Sequence, residues 1–208
     1  ILNSITRHDV LNQITALGLM LMILKDTVTD ATTLDFVNKA QETTDRLTTQ
    51  IEFTKEYQDI GVIAPQWQNV PASIAQAKSL LQECPFEIAV ETGNLEIYAD
   101  PLLGKVFYNL LENAIRHGEK VTHIRFSSRP SGTGLTILYE DNGAGIDPGL
   151  KKNLFRRGFG KHTGFGLYMM REILAITGIT IEETGEPGTG ARFAIQVQKE
   201  NFRFAKTP

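Results

Sequence analysis

Apolar positions in the first sixty residues recur with a helical period. Val10, Ile14, Leu17, Leu21, Leu24 and Val28 follow a 4-3-4-3-4 spacing, which is a heptad seam along one helix. Val37, Ala40, Thr44, Leu47, Ile51 and Thr54 repeat the alternation with fewer large side chains, and Gly61 and Pro65 stop that second helix. The turn between them falls in Thr27–Thr33, with Asp30 or Thr32 as the cap. Two such helices cannot bury both seams alone. A four-helix bundle built from two chains is one solution, and a hairpin packed on the rest of the chain is the other.

From Gln66 onward the pattern changes. Phe86–Thr92 and a short stretch at Glu96–Tyr98 read as strands, and Val121–Ser128 and Leu135–Glu140 alternate like an antiparallel pair joined by the turn 130–134. Between them a helix starts at Asp100-Pro101, where proline suits the first turn, and runs to about His117. A glycine-rich region follows, then a helix over 166–177 and strands at Ile179–Glu183 and Ala191–Gln198. This predicts an α+β layer with helices on one face of a mixed sheet. The two patterns divide the chain into 1–60 and 66–208, with Ile60–Gln66 as the hinge.

Composition sharpens the division. Residues 1–60 carry five Lys/Arg and nine Asp/Glu, and thirteen of the eighteen glycines lie after position 131. The net charge of -3 gives no large basic surface, so nucleic acid is a poor guess for a partner. Cys84 is the single cysteine, which excludes an intramolecular disulfide and a multi-cysteine metal site. The longest nearly apolar run, 16–24, is nine residues, too short to cross a bilayer, and the opening ILNSITRHD has no signal-peptide layout. The expectation is a soluble, cytoplasmic segment without membrane contact.

Four groups of residues carry candidate chemistry. If Val10 and Ile14 face the seam, His8 and Asn12 lie opposite as stacked i, i+4 neighbours, with Asp9 beside them. A neutral imidazole there is free to act as a nucleophile while Asp9 orients its other ring proton; an ordinary helix surface reads the same way. Asn109, Asn113 and Arg116 share one helix face opposite Leu110, Leu111 and Ile115. Two amides and a guanidinium suit hydrated Mg²⁺ and phosphate oxygens, or form a plain polar face. Asp141-Asn-Gly143-Ala-Gly145-Ile146 follows a strand, where glycines let backbone approach a flat ring and Asp141 can accept from an exocyclic amine; Asn-Gly is also a common turn. Gly158-Phe-Gly160-Lys161-His-Thr-Gly164-Phe-Gly166 opens a helix, and amides at a helix N-terminus bind phosphate.

Together these residues resemble the catalytic core of a two-component sensor histidine kinase. Arg7 to Asn12 matches the H box in its H-D/E-x-x-N/T form, Asn109 to His117 the N box, Asp141 to Ile146 the G1 box and Thr163 to Leu167 the G2 box. Phe155 to Phe159 resembles the F box, and Gly188 to Phe193 the last glycine turn, with Ala191 where threonine is frequent. The resemblance implies a two-helix dimerisation and phosphoacceptor domain over 1–60, a four-helix bundle in the homodimer, followed by a Bergerat-type α/β sandwich that binds ATP and Mg²⁺. It implies that His8 is the phosphoacceptor, Asp9 its acid/base partner, and Asn12 the residue that positions water in a phosphatase reaction. Asn113 would hold Mg²⁺ with Asn109 and Arg116 near the phosphates, and Asp141 would bind the adenine amine in a turn opened by Gly143 and Gly145. Gly164 and Gly166 would let the lid wrap the triphosphate, with Lys161 adding charge. The implied partner is the receiver domain of a response regulator, and the implied setting is the cytoplasmic part of a larger sensor. The H box lacks the usual Arg-Thr-Pro ending and has Asn12-Gln13, so no proline kinks the helix there.

Overall fold

The heptad pattern becomes two helices, α1 (Ser4–Thr27) and α2 (Ala31–Asp59). Asp30 is the residue that caps α2: its carboxylate accepts from Thr33 N–H at 2.8 Å and from the Thr33 hydroxyl at 2.7 Å. These bonds, the hydroxyl's first, hold the Asp30 carboxyl below the usual range. The helices run antiparallel, with Arg7 donating to Gln58 Oε1 at 3.1 Å near one end and Gly18 facing Gln41 and Thr44 near the middle. Ile14, Leu21, Val37, Thr44 and Phe53 are buried, Val10 and Val28 half-buried. Leu17 and Leu24, expected on the same seam, are 46% and 47% exposed. One partner helix covers a narrower stripe than a bundle does, so part of the seam stays uncovered. By length and composition, Ile5–Thr27 is a helix long and apolar enough to cross a membrane, with mean hydropathy 1.2, although its unbroken apolar run is short.

The structure, a computed structural model, describes residues 4–132, 134–159 and 164–205. It falls into two compact units, the first ending at Gln58 and the second beginning at Asp59. The second unit contains β1 (Gln66–Asn69), α3 (Val70–Ser79), β2 (Glu87–Glu91), β3 (Leu95–Ala99), α4 (Leu103–His117), β4 (His123–Ser131), β5 (Gly134–Asp141) and the short α5 (Pro148–Lys151). After these come α6 (Gly166–Ala175), β6 (Thr180–Glu183), β7 (Arg192–Gln198), a 3-10 turn and β8 (Phe202–Phe204). Five strands form a mixed sheet in the order β2-β4-β5-β7-β6, with β2 parallel to β4 and the other pairs antiparallel. The stretch expected as a further strand of that sheet, β3, instead centres a separate antiparallel sheet, β1-β3-β8.

The core lies between the helices and the sheet. Val106, Phe107, Leu110 and Leu111 of α4 and Met170 and Ile173 of α6 are buried with Phe126, Ile137, Tyr139 and Ile195. Phe107 meets Phe126 edge to face at 5.7 Å, which seats α4 on β4. Ile115 departs from the expected apolar side and is 41% exposed, because it lies beyond the stripe defined by Val106, Leu110 and Ala114.

The expected hinge carries a fixed contact within the second unit. Gly61, at φ 72°, donates its N–H to Asp100 Oδ2 at 2.8 Å. Asp100 is buried and accepts from Leu102 N–H on Oδ1 at 2.8 Å, capping the turn that leads into α4.

Candidate functional site

Helix α4 presents Asn109, Asn113 and Arg116 at i, i+4 and i+7. Asn113 Nδ2 is buried and has no hydrogen-bond partner. An orphaned buried amide is costly unless something meets it, so this position is open for a ligand. Arg116 is engaged, donating to Glu112 Oε1 at 2.8 Å one turn back. Asn109 touches the start of α6: a Cβ on Gly166 would lie 3.1 Å from Asn109 Oδ1. Two of the sequence motifs are thereby in contact.

Asp141 ends β5 and is half-buried. Its Oδ1 accepts from Gly143 N–H at 2.9 Å and from Ala191 N–H at 3.0 Å, and its Oδ2 accepts from the Tyr139 hydroxyl at 2.9 Å. The turn after it is packed on both sides. Gly143 lies so close to the Gly118 carbonyl that a Cβ would meet it at 2.5 Å. Gly190, at φ 102°, lies over the Asp141 carbonyl, where any Cβ would overlap it. Gly145, at φ 75°, faces the carbonyls of Glu186 and Gly190, and Gly188 N–H donates to Ala144 O at 3.0 Å. Asn142 is structural: its Oδ1 accepts from Thr122 and His123 N–H and holds the start of β4. Beside Asp141 is a polar cavity of about 270 Å³ lined by Glu140, Thr184, Glu186, Thr189 and Arg192.

Lys161 lies outside the described residues, as do Gly160, His162 and Thr163. The chain flanking them is held. Gly158 N–H donates to Gly164 O at 3.2 Å, and both glycines have positive φ. Phe155 sits edge-on to Phe193 at 6.4 Å. Sequence reasoning missed an anchor here. The Lys151 ammonium lies 2.6 Å from Glu183 Oε2 and donates to Gly185 O, while Glu183 Oε1 accepts from Gly185 N–H at 2.9 Å and from Arg192 N–H at 3.3 Å. The Glu183 side chain is 1% exposed. Its position in an alternating strand was the one available signal.

In the first unit His8 is exposed on α1, with Asn12 Nδ2 3.2 Å and Asp9 Oδ1 3.6 Å from its Nδ1. Both contacts fall on one ring nitrogen, so the expected His8, Asp9 and Asn12 grouping forms around Nδ1 and leaves Nε2 clear of it.

Residues 99–201 match the family described as histidine kinase-, DNA gyrase B-, and HSP90-like ATPase. The chain is 36% identical over 96 residues to the alginate biosynthesis sensor protein KinB of Pseudomonas aeruginosa, covering 43% of this chain and 16% of that protein. It thus spans about a sixth of that relative's length. The structure of full-length ShkA in complex with AMPPNP superposes with a TM-score of 0.66 at 21% identity, over 97% of this chain and 46% of that one, and shows the shared fold. Histidine kinase ThkA (TM1359), in complex with response regulator protein TrrA (TM1360), gives a TM-score of 0.64 at 25% identity, over 92% of this chain and 59% of that one. Through residues 99–201 the chain belongs to the histidine kinase-, DNA gyrase B- and HSP90-like ATPase family, as a histidine kinase catalytic core.

Proposed function

We propose that this core transfers the γ-phosphoryl group of ATP to His8 Nε2, and from there to an aspartate on the receiver domain of a response regulator. The observation that carries the reading is the His8 grouping. Asp9 Oδ1, 3.6 Å from Nδ1, accepts from a protonated Nδ1 and so favours the tautomer with its lone pair on Nε2, once the Asn12 amide nitrogen, which donates to Nδ1 at 3.2 Å in the resting geometry, turns away. In the transfer the Nε2–P bond forms as the bond from phosphorus to the β,γ-bridging oxygen breaks. ADP leaves with that electron pair, and Asp9 takes the Nδ1 proton. The complexes of ShkA with AMPPNP and of ThkA with a response regulator support ATP and a receiver domain as the two partners.

Asp141 would accept from the adenine amine, with Gly143 and Gly145 shaping the turn. Asn109, Asn113 and Arg116 would face the phosphates, with Gly164, Gly166 and Lys161 contributing from the lid. The orphaned Asn113 Nδ2 is a donor and would meet a phosphate oxygen, while the oxygen of the same amide is the hard ligand that would hold magnesium. Among the described residues no three His, Cys, Asp or Glu side chains gather to hold a metal, so the ion would be shared with the triphosphate. Bound there, magnesium would supply charge neutralisation for the phosphates. Where hydrolysing relatives place a water-activating carboxylate, one turn before Asn113, this chain has Asn109, which favours transfer to His8 over hydrolysis.

The same H box supports a second activity: Asn12 can orient water against a phosphorylated receiver domain, giving phosphatase action. We further read residues 1–60 as a dimerisation and phosphoacceptor domain, residues 66–208 as the ATP-binding domain, and the setting as the cytoplasmic part of a larger sensor.

Incubation with γ-labelled ATP and magnesium tests the reading. Wild type takes up acid-labile, base-stable label, while His8→Gln takes up none and still binds ATP. Acid-labile label persisting in His8→Gln would overturn the assignment.

A further inference from the structure

Tyr139 lies two residues before Asp141 on β5, and alternate strand positions share a face. Its side chain is 1% exposed. The ring contacts Phe126 at 5.3 Å and Phe193 at 5.9 Å, continuing an aromatic row from Phe107 of α4 through to Phe155. Phenylalanine would serve that row equally well. A buried hydroxyl costs free energy unless it finds a partner, and this one finds Asp141 Oδ2 at 2.9 Å. Gly143 and Ala191 N–H take Oδ1. A carboxylate offers about four acceptor positions. Three are filled from within the protein, and the remaining one is on Oδ2.

We propose that Tyr139 is a positioning residue for base selection: by holding Oδ2 it leaves Asp141 a single acceptor direction, which a purine 6-amino group fills. The inference rests on Asp141 being the base contact. Burial first, and then the neighbouring carboxylate, push the Tyr139 phenol well above its ordinary range, so it remains a donor throughout the working pH range. A 6-oxo purine presents a carbonyl oxygen to the same lone pair and is repelled. Without the hydroxyl, Oδ2 has two open positions and the amine bond loses its fixed direction.

The test compares affinities of the full chain for ATP and for purine riboside triphosphate, which lacks the 6-amino group, in wild type, Tyr139→Phe and Asp141→Asn. Wild type prefers ATP by about tenfold or more, the range of a hydrogen bond to a charged group. Tyr139→Phe lowers that preference by roughly threefold or more, with the analogue's affinity held within about twofold. Asp141→Asn abolishes the preference. A purely structural role for Tyr139 weakens both nucleotides in proportion, so an unchanged ratio in Tyr139→Phe overturns the proposal while leaving Asp141 as the base contact. No preference in wild type, or an unchanged ratio in Asp141→Asn, overturns the Asp141 reading and the proposal with it.

Discussion

Asp141 and Asn113 face the proposed nucleotide with opposite kinds of incompleteness. Asp141 is almost fully satisfied by Gly143, Ala191 and Tyr139, whereas Asn113 keeps a buried donor with no partner. Their substitutions should therefore fail differently. In Asp141→Asn one oxygen can still meet the two backbone N–H groups, but the amide nitrogen then opposes the base amine. Loss of a charge-assisted hydrogen bond of roughly 1.5–3 kcal/mol lowers ATP affinity about ten- to over a hundredfold. Asn113→Ala removes the amide oxygen proposed to hold magnesium and one neutral donor to phosphate, so magnesium-free nucleotide affinity should fall by about tenfold or less while labelling of His8 collapses. Calorimetric titration with and without magnesium, beside the labelling assay, separates the two; equal loss of magnesium-free affinity in both variants would contradict the division. At this scale the sequence was readable wherever spacing alone sets a face: His8 with Asn12, and Asn109 with Asn113. It was unreadable where a side chain chooses a local partner, as Arg116 does with Glu112. Tyr139 with Asp141 lay between these cases, since i and i+2 on a strand share a face but nothing in the order of residues says that the hydroxyl turns towards the carboxylate.

Elements whose apolar residues alternate or follow a helical period were legible: β4, β5, β7, α4 and α6 fall within a few residues of their expected limits. Strand β1, with the sequence QWQN, and β8, with FRF, lack that pattern. They are strands because β3 pairs with both, and because Arg203 lies 4.2 Å from the Trp67 ring centroid and 2.6 Å from Glu96 Oε2. Helix α3 was missed although Asn69 accepts from Ala72 N–H and Pro71 stands in its first turn. The Lys151–Glu183 pair joins elements 32 residues apart, beyond any local signal. Its two members are not equivalent. Glu183 is 1% exposed and Lys151 23%. Lys151→Met strands a buried carboxylate and should cost about 3 kcal/mol, the lower end for breaking a buried pair. Glu183→Gln frees a lysine that can swing to water while the amide still accepts on one side, and should cost roughly 1 kcal/mol. Urea unfolding followed by the fluorescence of Trp67, the single tryptophan, reads the second unit directly. The reverse order of costs would show that Glu183 is held by its backbone partners and that the lysine is incidental.

For the whole molecule, the uncovered part of the seam is the informative surface. Leu21 reads from sequence as the centre of a contact between two chains, yet it is 9% exposed within one chain, facing its own α2. A charge there would break the hairpin itself and says little about association. Leu17 at 46%, Leu24 at 47% and Leu47 at 43% are the seam positions left open, and Met20 and Ile23 beside them are exposed as well. An apolar stripe of this kind is covered by something. A second copy supplies the same stripe, and at about 25 cal/mol per Å² of apolar surface removed from water its burial drives association. We therefore expect a homodimer through residues 10–57. Leu17→Asp and Leu24→Asp, combined, place charges on the open stripe without touching Ile14, Leu21, Val37 or Phe53. The double variant should keep its helicity, sediment as a monomer where wild type sediments as a dimer at tens of micromolar, and bind ATP as before. Helix α1 is also long and apolar enough to enter a bilayer, so the same samples should be spun with neutral phospholipid vesicles. Wild type that pellets with vesicles and is monomeric without them would assign the stripe to a membrane and remove the bundle; wild type that stays in the supernatant as a dimer, with the double variant monomeric, assigns it to the second chain.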